Sequence, residues 1–427
     1  MSTVLAYTSP AAGHAFPLVP GLLALRARGH SVQLRTAPDL VEPISAATGL
    51  DACPVDPLVA SIPVDDHLAE GGRQRLTKGF ERLLSRGQAE REDLARAIVE
   101  TRPEALLVDC IAYGAAIEAE RSGLPWAMTL PSLLPLSGAG IPPYGLGLAP
   151  LRGPLGRLRD RAGWALVERL YSQAMLPKLN ELRDAAGLTT LASPIDNMYR
   201  PDRILALTGA PLEYERRDLP GHVRFLGSQC WDPPAGEPGW LREPGDPWVL
   251  VTCSTEYQGD EALAATAIEA LREEPVRVLV TLGDASPAGL PSAANIRCER
   301  FVAHGPVLRR AAAVVCHGGM GITEKAIAAG VPLVAVPFGR DQPEVARRVV
   351  EAGVGVRLAP RRLTPRRLRD AVRAATALGE GLPELPPGAL EDRAERFAAA
   401  VEELVAMPAA QPRSRASSTR ERTSSLA

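Results

Sequence analysis

Cysteine is scarce in this chain, its charge is nearly balanced, and its N-terminus lacks a leader pattern. Six cysteines are spread over 427 residues, at 53, 110, 230, 253, 298 and 316. None stand as Cys-x-x-Cys, and no His/Cys spacing has the look of a zinc site. Several lie in apolar, strand-like runs, where they read as reduced core thiols of a cytosolic protein. A formal net charge of -2 points neither to a nucleic-acid binder nor to a strongly anionic-membrane binder. The opening MSTVLAYTSP has no basic-then-apolar order, so no signal peptide is expected, and the expected location is cytoplasmic. One uncharged run, 131–151, has the length of a membrane span. Its five prolines and four glycines argue against a spanning helix. It reads as an apolar loop, either lining a greasy cavity or partly buried for structural reasons.

What is present is alternation. At 46% apolar residues the chain has material for sizeable cores, and its length suits two large domains or three ordinary ones. Short apolar strands (VLAYT at 4–8, SVQLRTA at 31–37, EALLVD at 104–109, PWAMTL at 125–130, RILALTG at 203–209) alternate with helical patterns. The helical stretches lie at 17–29, near 76–100, near 111–121 and over about 154–186. Such alternation predicts a parallel sheet with helices on both faces. Residues 229–247 break the pattern with a Pro/Gly-rich segment, read as an interdomain linker. Alternation then restarts with WVLVTC at 248–253. Two doubly wound, Rossmann-like domains follow, at 1–228 and 248–387, then a helix at 388–407. The polar tail at 408–427 is expected to be disordered.

The densest signal is CHGGMGITEKAIAAG, 316–330, in which Gly318, Gly319 and Gly321 crowd around His317. A buried-strand pattern precedes it and a helix follows, so the glycines form a strand-to-helix turn at the ligand edge of a parallel sheet. Bare N–H groups at a helix start attract phosphate. A merely tight turn is the plainer reading. A P-loop would need Gly-Lys-Ser/Thr, where this chain has Gly321-Ile322-Thr323. A dinucleotide fingerprint would need glycine at Glu324, and the first strand's turn, SPAAGHAFP, has a single glycine.

Strand, HGGMG, helix, GVP and FGRDQ together resemble the donor-site signature of family 1 glycosyltransferases of the GT-B fold, with the bacterial antibiotic and macrolide enzymes as the nearest group. The resemblance spans nearly the whole chain. It implies two Rossmann-like domains facing each other across a cleft, with the 388–407 helix returning to the first. It places His317, Gly319 and Gly321 at the donor diphosphate, with Thr255 touching phosphate. It sets Phe301 and Val302 at the base, and Asp341 and Gln342 at the sugar hydroxyls. Ile322 stands where the family often has Thr, Lys325 where it often has Glu, and His304 where it often has Gln. Helix N-capping is a second reading for Asp341.

His14, in SPAAGHAFPL, follows the first strand. By position alone it is as readily a bystander. The family match makes it the base that takes the acceptor's proton, with Asp109 orienting the imidazole and balancing its charge. N-capping of the helix near 111–121 is the alternative for Asp109. The implied reaction is an inverting displacement on a nucleotide-sugar, dTDP- or UDP-linked, by a hydroxyl of a hydrophobic small molecule, with no metal or other cofactor. Asp65-Asp66-His67 is not read as a metal site. Leu133, Leu136 and Tyr144 are the expected acceptor-binding residues. The chain is expected to be a monomer or homodimer. A sugar-nucleotide epimerase and a non-catalytic partner of a transferase are the competing classes.

Overall fold

Two all-parallel sheets organise the computed structural model, which describes residues 1–254, 258–283, 289–385 and 391–409. The first sheet holds β1 (Thr3–Tyr7), β2 (Ser31–Thr36), β3 (Asp51–Pro54), β4 (Ala105–Asp109), β5 (Trp126–Leu130), β6 (Arg203–Ala206) and β7 (Val223–Phe225). Their order is β3-β2-β1-β4-β5-β6-β7. The second holds β8 (Trp248–Thr252), β9 (Arg277–Thr281), β10 (Ile296–Glu299), β11 (Ala311–Cys316), β12 (Leu333–Ala335) and β13 (Gly355–Arg357), ordered β10-β9-β8-β11-β12-β13. The central strands β1, β4 and β8 are buried apolar runs, as a sheet covered on both faces requires.

In each sheet the chain winds outward one way, returns to the middle, and winds the other way. The reversal lies between β1 and β4 in the first domain and between β8 and β11 in the second. Crevices open at such switch points, beyond the carboxyl ends of the strands. Both switch points face one cleft of about 1640 Å³, lined from both domains. Single-ligand pockets run to roughly 1,000 Å³, so this one has room for two substrates.

Several elements depart from the sequence reading. The helical stretch near 76–100 is two helices, Gly72–Ser85 and Gly87–Thr101. A Cβ on Gly114 would overlap the Gly87 carbonyl, so two glycines let neighbouring helices touch there. The short strands β3 and β7 carry too few residues to show a period of two. The segment read as a linker sends Gln229–Asp232 into the cleft wall. Apart from these departures, the last helix, Arg393–Val405, lies on the first domain. There Phe397 is fully buried in the core with Leu22 and Leu25, worth roughly 1.5–3 kcal/mol. A Cβ on Gly21 would collide with the Phe397 ring. Arg28 bonds Glu395 and Glu402 at the rim. Of the expected disordered tail, residues 410–427 lie outside the described residues. Among the described residues no helix is long and apolar enough to cross a membrane.

Candidate active site

His14 lies just past β1, in the short helix Ala12–Ala15, and Asp109 is the last residue of β4. They therefore flank the first switch point. His14 Nδ1 is 2.6 Å from Asp109 Oδ2. The Asp109 side chain is fully buried, whereas that of His14 is 25% exposed and lines the cleft. Asp109 Oδ1 accepts the Ile111 N–H at 2.8 Å. The carboxylate thus braces the strand-end turn and holds the imidazole at once. Helix Tyr113–Ser122 begins instead from Ala112, with no side-chain cap. With Nδ1–H donated to Asp109, Nε2 is the basic nitrogen of the ring.

Cys110 adds a sulfur, and the donor atoms of His14, Asp109 and Cys110 lie within 4.8 Å of one another. A soft cation would need the thiolate. Burial and the adjacent Asp109 push that thiol well above its ordinary range, which opposes such binding.

The glycine cluster at the second switch point has three separate physical reasons. Gly318 adopts φ +87°, which a side chain resists. At Gly319 a Cβ would overlap His317 Nε2. At Gly321 a Cβ would meet nothing within 4 Å, because that position opens on the cleft. Helix Met320–Ala328 starts there from Gly319 without a side-chain cap. Its first N–H groups have no carbonyl one turn back and point their positive end at the cleft. His317 is buried beside them, and burial lowers its pKa despite Asp260 and Asp341 nearby, so it stays neutral. Asp260 also accepts the Ser254 N–H and hydroxyl, at 2.7 and 2.8 Å, at the end of β8. Thr255, next in the chain, lies outside the described residues.

Phe301 is 59% exposed although it is an aromatic on the cleft wall, and Val302 beside it is buried. Ile322 lines the cleft while packing into the second domain's core. Asp341 holds the N-cap position of helix Gln342–Glu351 but makes no side-chain cap. Its Oδ2 instead accepts the Ser132 hydroxyl from the other domain at 2.7 Å. Gln342 is buried and engaged at both ends of its amide. Oε1 accepts the N–H groups of Phe338 and Gly339, and Nε2 donates to Gln258. Its visible work is to hold the 338–342 loop.

The 131–151 loop is corrected in detail. Leu133 and Leu136 are 0% and 1% exposed and pack into the domain cores. Pro131, Ser132, Pro135 and Tyr144 of the same loop face the cleft. A run with no periodicity gives no sign of which leucine turns inward. The sequence reading also missed Asp232. This linker carboxylate pairs with Lys325 on the cleft wall, and the lone signal for it was an acid within a Pro/Gly-rich segment.

Residues 267–381 match the family described as erythromycin biosynthesis protein CIII-like, C-terminal domain. Over 385 residues the chain is 34% identical to the 4'-demethylrebeccamycin synthase of Lentzea aerocolonigenes, covering 87% of this chain and 91% of that one. Among solved structures, the glycotransferase of kitacinnamycin superposes with a TM-score of 0.69 at 23% identity, over 95% of each chain. The spinosyn rhamnosyltransferase SpnG, complexed with thymidine diphosphate, does so with 0.62 at 21%, over 94% of this chain and 95% of that one. The structural likenesses carry the fold, two Rossmann-like domains across a cleft. The sequence identity carries the kinship: this chain belongs to the antibiotic glycosyltransferases of the GT-B fold.

Proposed function

We propose that the enzyme moves a sugar, with inversion, from a dTDP- or UDP-sugar to a hydroxyl of a hydrophobic natural-product acceptor. The observation that carries this reading is the 2.6 Å contact between His14 and a fully buried Asp109, beside a cleft that the glycine turn also lines. His14 Nε2 takes the acceptor proton as the oxygen attacks the anomeric carbon. Asp109 balances the imidazolium that forms. The carbon–oxygen bond to the diphosphate breaks on the opposite face. Negative charge growing on the leaving diphosphate is met by the N–H groups of helix Met320–Ala328 and by His317. These groups supply what a metal would supply, so activity should survive excess EDTA.

The donor nucleoside fits the wall formed by Phe301 and the Lys325–Asp232 pair. Asp232 places a hydrogen-bond acceptor where Lys325 alone offers donors only. The thymidine diphosphate of SpnG, a protein of the same fold, supports including dTDP donors. Apolar lining from the 131–151 loop and from Val167 and Leu170 suits a hydrophobic acceptor, with Tyr144 beside it. The reaction takes place in the cytoplasm. The test is incubation with labelled dTDP- and UDP-sugars and a panel of aromatic and macrolide aglycones. Labelled glycoside of inverted configuration supports the proposal. Isomerised donor without transfer would overturn the transfer reaction proposed here, and neither product would overturn the donor and acceptor classes named.

A further inference from the structure

The loop that carries Asp341 is gripped from the opposite domain. Asp66, in the short turn Asp66–Leu68 of the first domain, is buried and receives Arg340, with Nη2 2.8 Å from Oδ1 and Nε 3.3 Å from the same oxygen. Arg340 Nη2 also reaches the Val64 carbonyl at 3.3 Å. Arg75 bonds the Phe338 carbonyl at 3.1 Å and the Ala69 carbonyl at 3.0 Å. Arg340 itself sits at φ +54°, a conformation that a residue other than glycine keeps only when its surroundings hold it. Asp65 does not share in this contact, since Lys78 and Arg82 of its own domain occupy it.

We infer that Asp66 and Arg340 are a positioning pair, through which the 64–75 segment of the acceptor domain sets the loop that holds the donor sugar. The inference rests on the function proposed above, in which Asp341 meets the sugar. Two consecutive residues, Arg340 and Asp341, are bonded across the cleft to two different acceptor-side segments. The phosphate turn at 317–321 takes no part in either bond. Breaking the pair should therefore loosen the grip on the sugar and leave the diphosphate grip intact. Because residues 62–67 also line the cleft, an acceptor that presses on them shifts the same loop. Donor and acceptor affinities are then linked, and linkage of this kind is reciprocal.

The test is calorimetric binding of dTDP-glucose and UDP-glucose, each compared with its nucleoside diphosphate. Asp66→Asn should weaken the nucleotide-sugar about tenfold, with the nucleoside diphosphate within about twofold. Arg340→Gly relieves the left-handed backbone and should show the same selective loss, with its melting temperature measured alongside because Asp66 stays buried. Arg340→Lys keeps the charge and should recover part of the affinity. The double variant should be no weaker than Arg340→Gly alone, since Asp66 acts through that guanidinium. Equal loss for sugar and diphosphate ligands, or no loss in Arg340→Gly, would overturn the pair as a positioning device. Binding of neither ligand class by the unaltered protein would overturn the proposed function, and this inference with it.

Discussion

The imidazole of His317 occupies the space that a side chain at Gly319 would need. Two glycines of one turn are thereby separable by experiment. Gly319→Ala must displace the ring, an overpacking that typically costs about 1–3 kcal/mol. It should lower both stability and turnover. Gly321→Ala meets no protein atom within 4 Å, and alanine favours a helix by about 1 kcal/mol over glycine. Its melting temperature should hold or rise while nucleoside diphosphate affinity falls, because the new methyl stands where the ligand approaches. Unchanged ligand affinity in Gly321→Ala would remove the diphosphate from this turn.

The dyad makes a different demand. His14→Ala should reduce kcat by about 100-fold or more, the usual scale of general-base help, with nucleoside diphosphate affinity nearly unchanged. Asp109→Asn keeps the shape but loses the charge that balances the imidazolium, so it should also be slow. Single-turnover rates measured with saturating donor decide the matter. Wild-type rates in His14→Ala would mean that another group takes the proton.

The fold was legible because strands buried on both faces read as short, uninterrupted apolar runs alternating with helical patterns, and HGGMG marks a strand-to-helix turn on chemistry alone. What failed to show was contact between distant segments. Nothing in FGRDQ announces that Arg340 reaches Asp66, or that Gln342 is spent on Phe338 and Gly339. Nothing in CWDPP announces that Asp232 meets Lys325. Sequence period reports which face of an element is buried, and loops have no period. The leucines of 131–151 show the consequence, since their apolarity was visible and their direction was not.

That direction carries its own prediction. Leu133 is fully buried among Leu212, Trp248 and neighbours. Leu133→Ala should cost about 2–5 kcal/mol of stability, and Leu133→Asp more, because the carboxylate would be buried in an apolar cluster. Denaturant titration of the folded fraction checks this. Tyr144→Phe, on the cleft side, should change acceptor KM with stability nearly unaltered. A Leu133→Ala variant of normal stability and raised acceptor KM would return that leucine to the acceptor wall.

Glu324 gives the protein a pH-dependent seam between its domains. It stands on helix Met320–Ala328 of the second domain and is buried near Ser228, Thr208 and Arg393. Burial pushes its pKa from 4.5 up to about 8, although the two hydroxyls and the guanidinium oppose the shift. Between those two values the folded state keeps a proton that the unfolded chain has released. Stability therefore falls as pH rises from about 4.5 to 8, at up to about 1.4 kcal/mol per pH unit from this group, and levels off above. Glu324→Gln mimics the protonated form and carries no such slope. Its advantage over the unaltered protein should be small at pH 5, grow steadily towards pH 8, and stop growing beyond. Denaturant midpoints measured for both proteins across that range test the assignment, and parallel curves would show that Glu324 titrates alike in the folded and unfolded chains.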